Sequence, residues 1–392
     1  MNKQTTMKKM LNKVPQITIF FWIIKVLCTT VGETFSDFLS VNMGFGLVGT
    51  AVAMGVVLAI VLYFQFKKTK YVPSVYWLSV VLISVFGTLV TDYFTDEIGV
   101  PLEFSTIFFS IALVITFAVW YRSEKTLSIH SIFTTKRESF YWLSIFFTFA
   151  LGTASGDLMA EALGLGYLVT GLIICGVIIS VSIAWKFGLN SILSFWIIYI
   201  MTRPLGASIG DLLSQTHENG GLGFGATITS IIFLLAIVVT IIFLTLTKKD
   251  LIVKPIVETN SKGNTFVQVA IVLSLFLVVS VAGYIMRTST LAEEARASAP
   301  MGLTSQELMD FVAIEQDTLA YVVNNDMPSA KERAKDLETK WDQSAARLKA
   351  IDSNKWTTID DSIDVVLSDV RTKNPDASTC QTDINESLDL MK

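Results

Sequence analysis

The sequence has 392 residues, of which 52% are hydrophobic and only 16% are charged, and its formal net charge is −4 at pH 7. Soluble domains carry about 25% charged residues, so this composition excludes a chain that is soluble throughout, and we expect no nucleic-acid partner. Long apolar runs continue to about residue 287, and a polar, acid-rich segment follows them. We therefore predict one membrane domain followed by one soluble domain.

The chain begins with a basic leader, residues 1–16, and then enters the first of nine stretches that are long and apolar enough to span a bilayer. Such a span needs about 20 mostly apolar residues. We interpret the first stretch as an uncleaved span, because it is longer than a signal peptide and no small-residue cleavage site follows it. The predicted spans are residues 17–40, 47–66, 76–96, 104–121, 140–162, 167–186, 192–213, 225–247 and 265–286.

Lys and Arg alternate between the short loops. The leader and the loops after the even-numbered spans are basic, whereas the loops after spans one, three, five and seven carry almost no Lys or Arg. By the positive-inside rule this predicts a cytoplasmic N-terminus and, with nine spans, a C-terminal domain on the opposite side. We expect a multi-pass protein of the bacterial cytoplasmic (inner) membrane, with an extracytoplasmic C-terminal domain.

One pattern, W-x9-G-x4-D, occurs four times and marks an internal repeat. Each repeat combines a motif helix that carries the pattern with a return helix, and the repeats cover about 17–70, 71–125, 138–188 and 189–248 within a membrane domain at 17–247. A cytoplasmic loop at 248–264, the ninth span at 265–286, a linker at 287–303 and an external domain at 304–392 complete the predicted organisation. The pattern residues are Trp22, Gly32 and Asp37; Trp77, Gly87 and Asp92; Trp142, Gly152 and Asp157; and Trp196, Gly206 and Asp211.

All four motif helices are odd-numbered spans, so the repeats are predicted to run parallel and to be related by an axis along the membrane normal. Either a pseudo-fourfold ring or a pair of pairs satisfies this condition. The predicted fold class is an all-α polytopic membrane protein with four parallel two-helix repeats, a ninth span and an external helical bundle.

This fourfold register resembles a bacterial family of uncharacterised membrane-anchored proteins that have four tandem two-span repeats, each marked by a tryptophan. The resemblance covers roughly residues 17–247 and depends on the Trp, Gly and Asp positions of the pattern. It implies the repeat architecture and no particular activity. The external segment after the repeats departs from the simple four-repeat pattern.

The four aspartates are the leading candidates for a functional site. Tryptophan favours the membrane interface, and each Asp lies fifteen residues further along its helix, which is about 22 Å. We therefore expect the four Asp to share one level in the outer third of the membrane. Intramembrane carboxylates are costly and mark ion or proton pathways. The alternative is that each Asp caps a helix end or a Gly-rich turn near the surface.

Four residues before each Asp, the same helix face carries Glu33, Thr88, Thr153 and Ala207. The first three are predicted auxiliary oxygen ligands, and the alternative for the threonines is a hydrogen bond to their own helix. Arg203 lies inside the seventh span and is predicted to be a charge partner for a carboxylate, with contact to an anionic substrate group as the alternative. Lys25 is predicted to extend towards the cytoplasmic surface.

The external segment shows helical periodicity and helix-start signals. Thr304 with Glu307 and Ser329 with Glu332 form potential capping boxes. We predict a small bundle of three or four helices, whose apolar stripes form its core.

These features favour a transporter or permease for a small cation, such as a divalent metal, or for a proton-coupled solute. The ring of Asp37, Asp92, Asp157 and Asp211 would bind the ion or the proton, and the same residues are the candidate ligands if the ion is a metal. The alternative is a membrane-anchored receptor or scaffold that binds an extracytoplasmic protein through its external domain. We predict no enzymatic activity and no other cofactor, because no nucleophile arrangement accompanies the carboxylates.

Overall fold

The computed structural model describes residues 12–217, 219–250, 265–298 and 303–392. Within these ranges every regular element is a helix, and nine helices are long and apolar enough to cross a membrane. The predicted all-helical fold and its nine span-length helices are therefore confirmed. Most of the predicted leader, residues 251–264 of the predicted loop and residues 299–302 of the predicted linker lie outside the described ranges.

Eight of these helices alternate as motif and return helices. Three of the motif helices continue, directly after the repeat aspartate, into one π-helical turn (Phe38–Asn42, Tyr93–Glu97 and Leu158–Ala162). The motif and return helices are α1 (Ile19–Asp37) and α2 (Gly46–Lys67), α3 (Pro73–Asp92) and α4 (Leu102–Glu124), α5 (Thr135–Asp157) and α6 (Gly166–Lys186), and α7 (Ser191–Ser214) and α8 (Gly225–Thr247).

The remaining helices are α9, which spans Thr265–Ser298, and four helices of a C-terminal bundle. Helix α9 continues well past residue 286, so the first part of the predicted linker is helical. The bundle consists of α10 (Ser305–Val323), α11 (Met327–Ile351), α12 (Ser353–Arg371) and α13 (Ala377–Met391), and their apolar faces form one core.

Repeat glycines bring the motif helices together in a closed order. A Cβ atom at any of the four would overlap a side chain of the next motif helix, so each position requires glycine for this close approach. The pairs are Gly32 with Ser84, Gly87 with Phe149, Gly152 with Arg203, and Gly206 with Thr29. In helix terms, α1 contacts α3, α3 contacts α5, α5 contacts α7, and α7 contacts α1.

The return helices follow the same order. Each packs against the motif helix of the following repeat: α2 on α3, α4 on α5, α6 on α7, and α8 on α1. Each return helix therefore joins its own repeat to the next one, and the return helix of the fourth repeat packs on the motif helix of the first.

At one end of this repeat domain, the pattern tryptophans form aromatic contacts between repeats. The residue before each Trp contacts the Trp of the following repeat, with ring centroids 5.5 to 6.3 Å apart, as in Phe21 with Trp77 (5.5 Å) and Tyr141 with Trp196 (6.3 Å). Trp77, for example, is only 1% exposed. These tryptophans therefore fill the space between motif helices.

The same end, called the Trp end below, is closed by the chain just before α1. Lys13 is buried there and forms an ion pair of 2.5 Å with Glu138, whose other carboxylate oxygen accepts a hydrogen bond from Gln65. The backbone N–H of Lys13 also donates to the carbonyl of Ile132. This buried ion pair and its hydrogen bonds join the chain just before α1 to α2 and α5.

At the opposite end, called the Asp end, the C-terminal bundle lies against the repeat domain. Helix α11 packs on the π-helical turns Phe38–Asn42 and Leu158–Ala162. At the start of α10, the Thr304 N–H donates to Glu307 as the capping box predicts. At the start of α11, the cap is Asp326, which accepts from the N–H of Ser329, so the proposed cap at Ser329 was wrong.

Candidate cation site

A cavity of about 490 Å³ lies between the Asp end of the repeat domain and the C-terminal bundle. All four repeat aspartates line it. They reach the same cavity because they occupy equivalent positions on motif helices that the repeat glycines hold in contact. The structure thus brings together Asp37, Asp92, Asp157 and Asp211.

These aspartates do not act as helix caps. The side chains of Asp37, Asp92 and Asp157 make no capping hydrogen bond to the π-helical turns that follow them. The capping alternative is therefore wrong at these three positions. Each π-helical turn begins directly after a cavity aspartate and ends the motif helix.

Asp37 has a partner from a distant part of the sequence. The ammonium of Lys335, on α11, forms an ion pair with it. The carboxylates of Asp92, Asp157 and Asp211, by contrast, have no ion pair and accept no hydrogen bond within the described residues. Three of the four aspartates therefore present open carboxylates to the cavity.

A second layer of repeat-equivalent residues lies one turn beyond each Asp. It consists of Val41, Asp96, Glu161 and Gln215, and all four line the cavity. Asp96 accepts a hydrogen bond from Thr95 at 2.7 Å, and Glu161 accepts one from the Tyr167 hydroxyl at 3.0 Å. Sequence reasoning did not select this layer, although its spacing of four residues after Asp was a usable signal.

The C-terminal bundle supplies the opposite wall of the cavity. Glu338, Asp342, Asp360 and Asp364 line it, and Trp341 donates to Asp360 at 2.6 Å. Arg371 forms an ion pair with Glu338. The ammonium of Lys349 lies 4.0 Å from the centre of the Trp356 ring, which also lines the cavity.

The cavity carries a large excess of negative charge. Its lining includes twelve carboxylates and only three cationic side chains, Lys335, Lys349 and Arg371. Glu33, Asp37 and Glu338 have ion pairs, whereas the other nine carboxylates have none within the described residues. Uncompensated like charges in one enclosed space repel each other strongly, so a cation or protons would stabilise this arrangement.

The titration of the bundle carboxylates reflects this environment. Burial raises the pKa of Asp364 to about 7, and repulsion from Asp360 and Glu338 contributes to the shift. Burial also raises the pKa of Asp342, with a further contribution from the carboxylate of Glu161 on the repeat domain. For Lys335, burial acts against the charged form, but the carboxylate of Asp37 outweighs it and the pKa is raised.

Below the aspartates, Arg203 closes the centre of the ring. Its side chain is fully buried, and it forms an ion pair of 2.7 Å with Glu33. The same guanidinium donates to the hydroxyls of Thr88 and Thr153, the latter at 2.8 Å, and to the carbonyl of Thr29 at 2.7 Å. Arg203 therefore contacts all three other repeats.

This arrangement places the predicted auxiliary ligands in different environments. Glu33 lines the cavity, whereas Thr88 and Thr153 do not. The two threonine hydroxyls donate to carbonyls of their own helices, each at 3.2 Å, and accept from Arg203. Ala207, the fourth residue of this layer, is small and buried.

Lys25 lies deeper in the same core. We expected it to extend to the membrane surface, but its side chain is fully buried and its ammonium lies over the rings of Phe149 (4.1 Å) and Tyr199 (4.3 Å). The correction has a simple cause, since Lys25 is on the face of α1 that packs against the other motif helices. Arg203 also approaches the Phe149 ring, so two basic side chains share this region.

The carboxylates of the cavity do not converge as metal ligands usually do. Across the part of the chain that the structure describes, no group of three or more His, Cys, Asp or Glu side chains has an arrangement that could hold a metal ion. The three cysteines, Cys28, Cys175 and Cys380, are unpaired thiols.

Fold and site together define a class: an all-helical protein of four tandem repeats, with several helices that could cross a membrane. Residues 20–71, 75–126, 140–188 and 194–250 match the family described as Repeat of Unknown Function (DUF347). These matches cover more than half of the chain, so the protein belongs to this family. Searches of curated proteins and of solved structures found no match.

Proposed function

We propose that this protein is a membrane transporter for a small cation, which it binds in the acidic cavity at the Asp end. In this proposal the N-terminus is cytoplasmic, the cavity and the C-terminal bundle are extracytoplasmic, and the four repeats surround a pseudo-fourfold axis along the membrane normal. The distribution of Lys and Arg between the loops supports this orientation. The closed order of glycine contacts supports the pseudo-fourfold arrangement.

One observation carries the functional proposal. Asp92, Asp157 and Asp211 come from three different repeats, open on one cavity and have no partner within the described residues. Each carboxylate near a membrane costs free energy, up to about 2.5–3.5 kcal/mol at the centre of a helix on insertion scales. An inert anchor gains nothing that offsets this cost, whereas a cation-binding protein gains its binding site.

The path below the cavity is closed in this conformation. The Arg203–Glu33 pair occupies the centre, and the glycine contacts leave no room between the motif helices. A cation would therefore cross only after a rearrangement of the repeats. Alternating access by movement of one part of a repeat domain against another is common among transporters that are built from repeats.

A second candidate function has specific support. Arg203 puts a guanidinium in the core directly beneath the acidic cavity, and fixed positive charge in a pathway excludes cations. A receptor that binds a cation outside the membrane without moving it would be compatible with both features. In that alternative, the contact between Lys335 and Asp37 would report occupancy of the cavity to the C-terminal bundle.

The two functions are separated by flux through the purified protein in liposomes. Gradients of a panel of cations would be imposed, and the flux of each would be followed with a potential-sensitive dye. A transporter gives flux for at least one cation, and the variant Asp92→Asn/Asp157→Asn/Asp211→Asn loses it. The matched control, Asp310→Asn/Glu386→Gln/Asp389→Asn, removes three exposed bundle carboxylates and keeps flux. Cation binding without flux for any cation would favour the receptor.

A further inference from the structure

The cavity already holds one alkylammonium group. Lys335 projects from α11 and pairs with Asp37, one of four equivalent positions in the ring. The group that occupies this position is therefore an ammonium at the end of an aliphatic chain, supplied by another part of the protein. The equivalent carboxylates of Asp92, Asp157 and Asp211 have no such partner within the described residues.

The size of the cavity and the spread of its charges do not suit a bare metal ion. A divalent cation needs oxygen atoms that converge on one point at about 2.0–2.6 Å, and no such group exists within the described residues. A volume of about 490 Å³ lies instead within the range of roughly 300–1,000 Å³ that is typical of sites for small organic molecules. An organic cation with several separated positive charges fits this volume and this spread of carboxylates.

Apolar side chains line the same cavity as these carboxylates. Leu47 and Val100 line the cavity on one side, and Ala345, Ala346 and Trp356 line it on the other. Trp356 is only 7% exposed, and its indole N–H has no hydrogen-bond partner in the described part of the chain. Lys349 shows that this ring accepts an alkylammonium group, at 4.0 Å.

We infer that the ligand of this cavity is a linear polyamine, an aliphatic chain that carries two or more ammonium groups. One ammonium binds the open aspartates of the repeat domain, another binds Asp342 and Asp364 of the bundle, and the methylene groups between them contact the apolar wall. This inference rests on the proposed function, because it specifies the cation that the acidic cavity takes. Lys335 acts as a tethered competitor for the same ring.

The test is calorimetric titration of the purified full-length protein with 1,4-diaminobutane, spermidine, butylamine and Mg²⁺ at one ionic strength. Affinity is expected to rise with the number of ammonium groups, and 1,4-diaminobutane is expected to bind more tightly than Mg²⁺ although both carry two charges. Asp92→Asn/Asp157→Asn/Asp211→Asn should weaken spermidine binding by about tenfold or more, the effect of losing charge-assisted hydrogen bonds.

The other variants assign the two ends of the ligand. Asp342→Asn/Asp364→Asn should weaken spermidine binding more than butylamine binding, because butylamine has only one ammonium group. Lys335→Met should tighten binding of 1,4-diaminobutane several-fold by freeing Asp37. The control, Asp310→Asn/Asp389→Asn, removes two exposed carboxylates outside the cavity and should leave all affinities unchanged.

Three results would overturn the inference. Tighter binding of Mg²⁺ than of 1,4-diaminobutane, lost in the triple Asn variant, would reject the polyamine and leave the cation-binding function intact. Equal spermidine affinity in the control and cavity variants would show attraction to the acidic surface alone. Binding of none of the four probes would reject the polyamine and also remove the support for the cation-binding function. Circular dichroism of each variant would show that it is folded.

Discussion

The Trp end and the Asp end of the repeat domain share the same four repeats, but they differ in whether their carboxylates have partners. At the Trp end, the buried carboxylate of Glu138 is fully engaged by Lys13 and Gln65. At the Asp end, Asp92, Asp157 and Asp211 open on a cavity without a partner in the described residues. The difference separates carboxylates that hold the fold together from carboxylates that are available to a ligand.

The change from paired to unpaired polar side chains occurs within one helical turn of the aspartates. In the layer that contains Glu33, Thr88 and Thr153, the polar side chains all contact Arg203. One turn later, all four aspartates line the cavity, and three of them have no partner within the described residues. The same four helices thus provide a polar layer joined by Arg203 and, in the adjacent layer, an acidic site with three open carboxylates.

The largest effect is expected from removing the central cation. Arg203→Met leaves Glu33 buried without its partner, and we expect this to lower the free energy of unfolding by about 3–5 kcal/mol. The double variant Arg203→Met/Glu33→Gln should recover much of this loss. Both would be measured by unfolding in detergent. A double variant that is no more stable than Arg203→Met would contradict the assignment of the pair.

The next largest effect is a dependence of the stability of the C-terminal bundle on pH, which is caused by a buried carboxylate. Burial raises the pKa of Glu315 from 4.5 to about 7, so the folded state holds a proton that the unfolded state releases. Stability is then highest below pH 4.5 and falls as the pH rises to 7, by at most about 3 kcal/mol. Glu315→Gln should reduce this pH dependence of amide hydrogen exchange in the bundle, and Asp364, whose pKa burial also raises to about 7, should leave a remainder. A bundle that is equally stable at pH 4.5 and pH 7.5 would contradict the raised pKa of Glu315.

The comparison of the two ends becomes a direct experiment when the same chemical change is made at each. Glu138→Gln at the Trp end leaves Lys13 buried without a counter-charge and should cost about 1–3 kcal/mol. Asp157→Asn at the Asp end removes repulsion between carboxylates and should stabilise the ligand-free protein by about 0.5–1 kcal/mol, as expected for a functional site. Thermal unfolding of both variants would show whether each change lowers or raises the stability of the protein. Destabilisation by both would show that Asp157 is structural.

The last comparison concerns the glycine contacts that define the ring. In Gly152→Ala, the new Cβ would meet the side chain of Arg203 and lie 3.0 Å from Pro204 Cδ, and overpacking of this kind costs about 1–3 kcal/mol. Gly176, on the return helix α6, has no atom within 4 Å of the position that a Cβ would take, so Gly176→Ala should be neutral or stabilising by up to about 1 kcal/mol. Equal stability of the two variants in thermal unfolding would contradict the close approach of α5 and α7.

Sequence reasoning could find the register of the site because the repeat reports equivalent positions. The spacing from Trp to Asp alone indicated that four carboxylates would share one level, and the structure brings them to one cavity. Asp96 and Glu161 were overlooked, although they stand four residues after two of these aspartates.

Other features depend on tertiary contacts that local patterns do not encode. The sequence could not show that Lys335 reaches Asp37, because that contact depends on how the bundle docks on the π-helical turns. It also could not show that the guanidinium of Arg203 reaches the next layer of residues, where it donates hydrogen bonds to the hydroxyls of Thr88 and Thr153. The pattern tryptophans resemble interface anchors in sequence, yet they pack between helices.

The most direct test of the central claim is thermal unfolding of the full-length protein with a panel of metal ions and organic cations, beside Asp92→Asn/Asp157→Asn/Asp211→Asn. A ligand that binds only the folded state raises its apparent stability. We predict that at least one cation raises the unfolding temperature of the parent protein and that the variant loses this response while remaining at least as stable without ligand. A response of equal size in both proteins would contradict a cation site at the open aspartates.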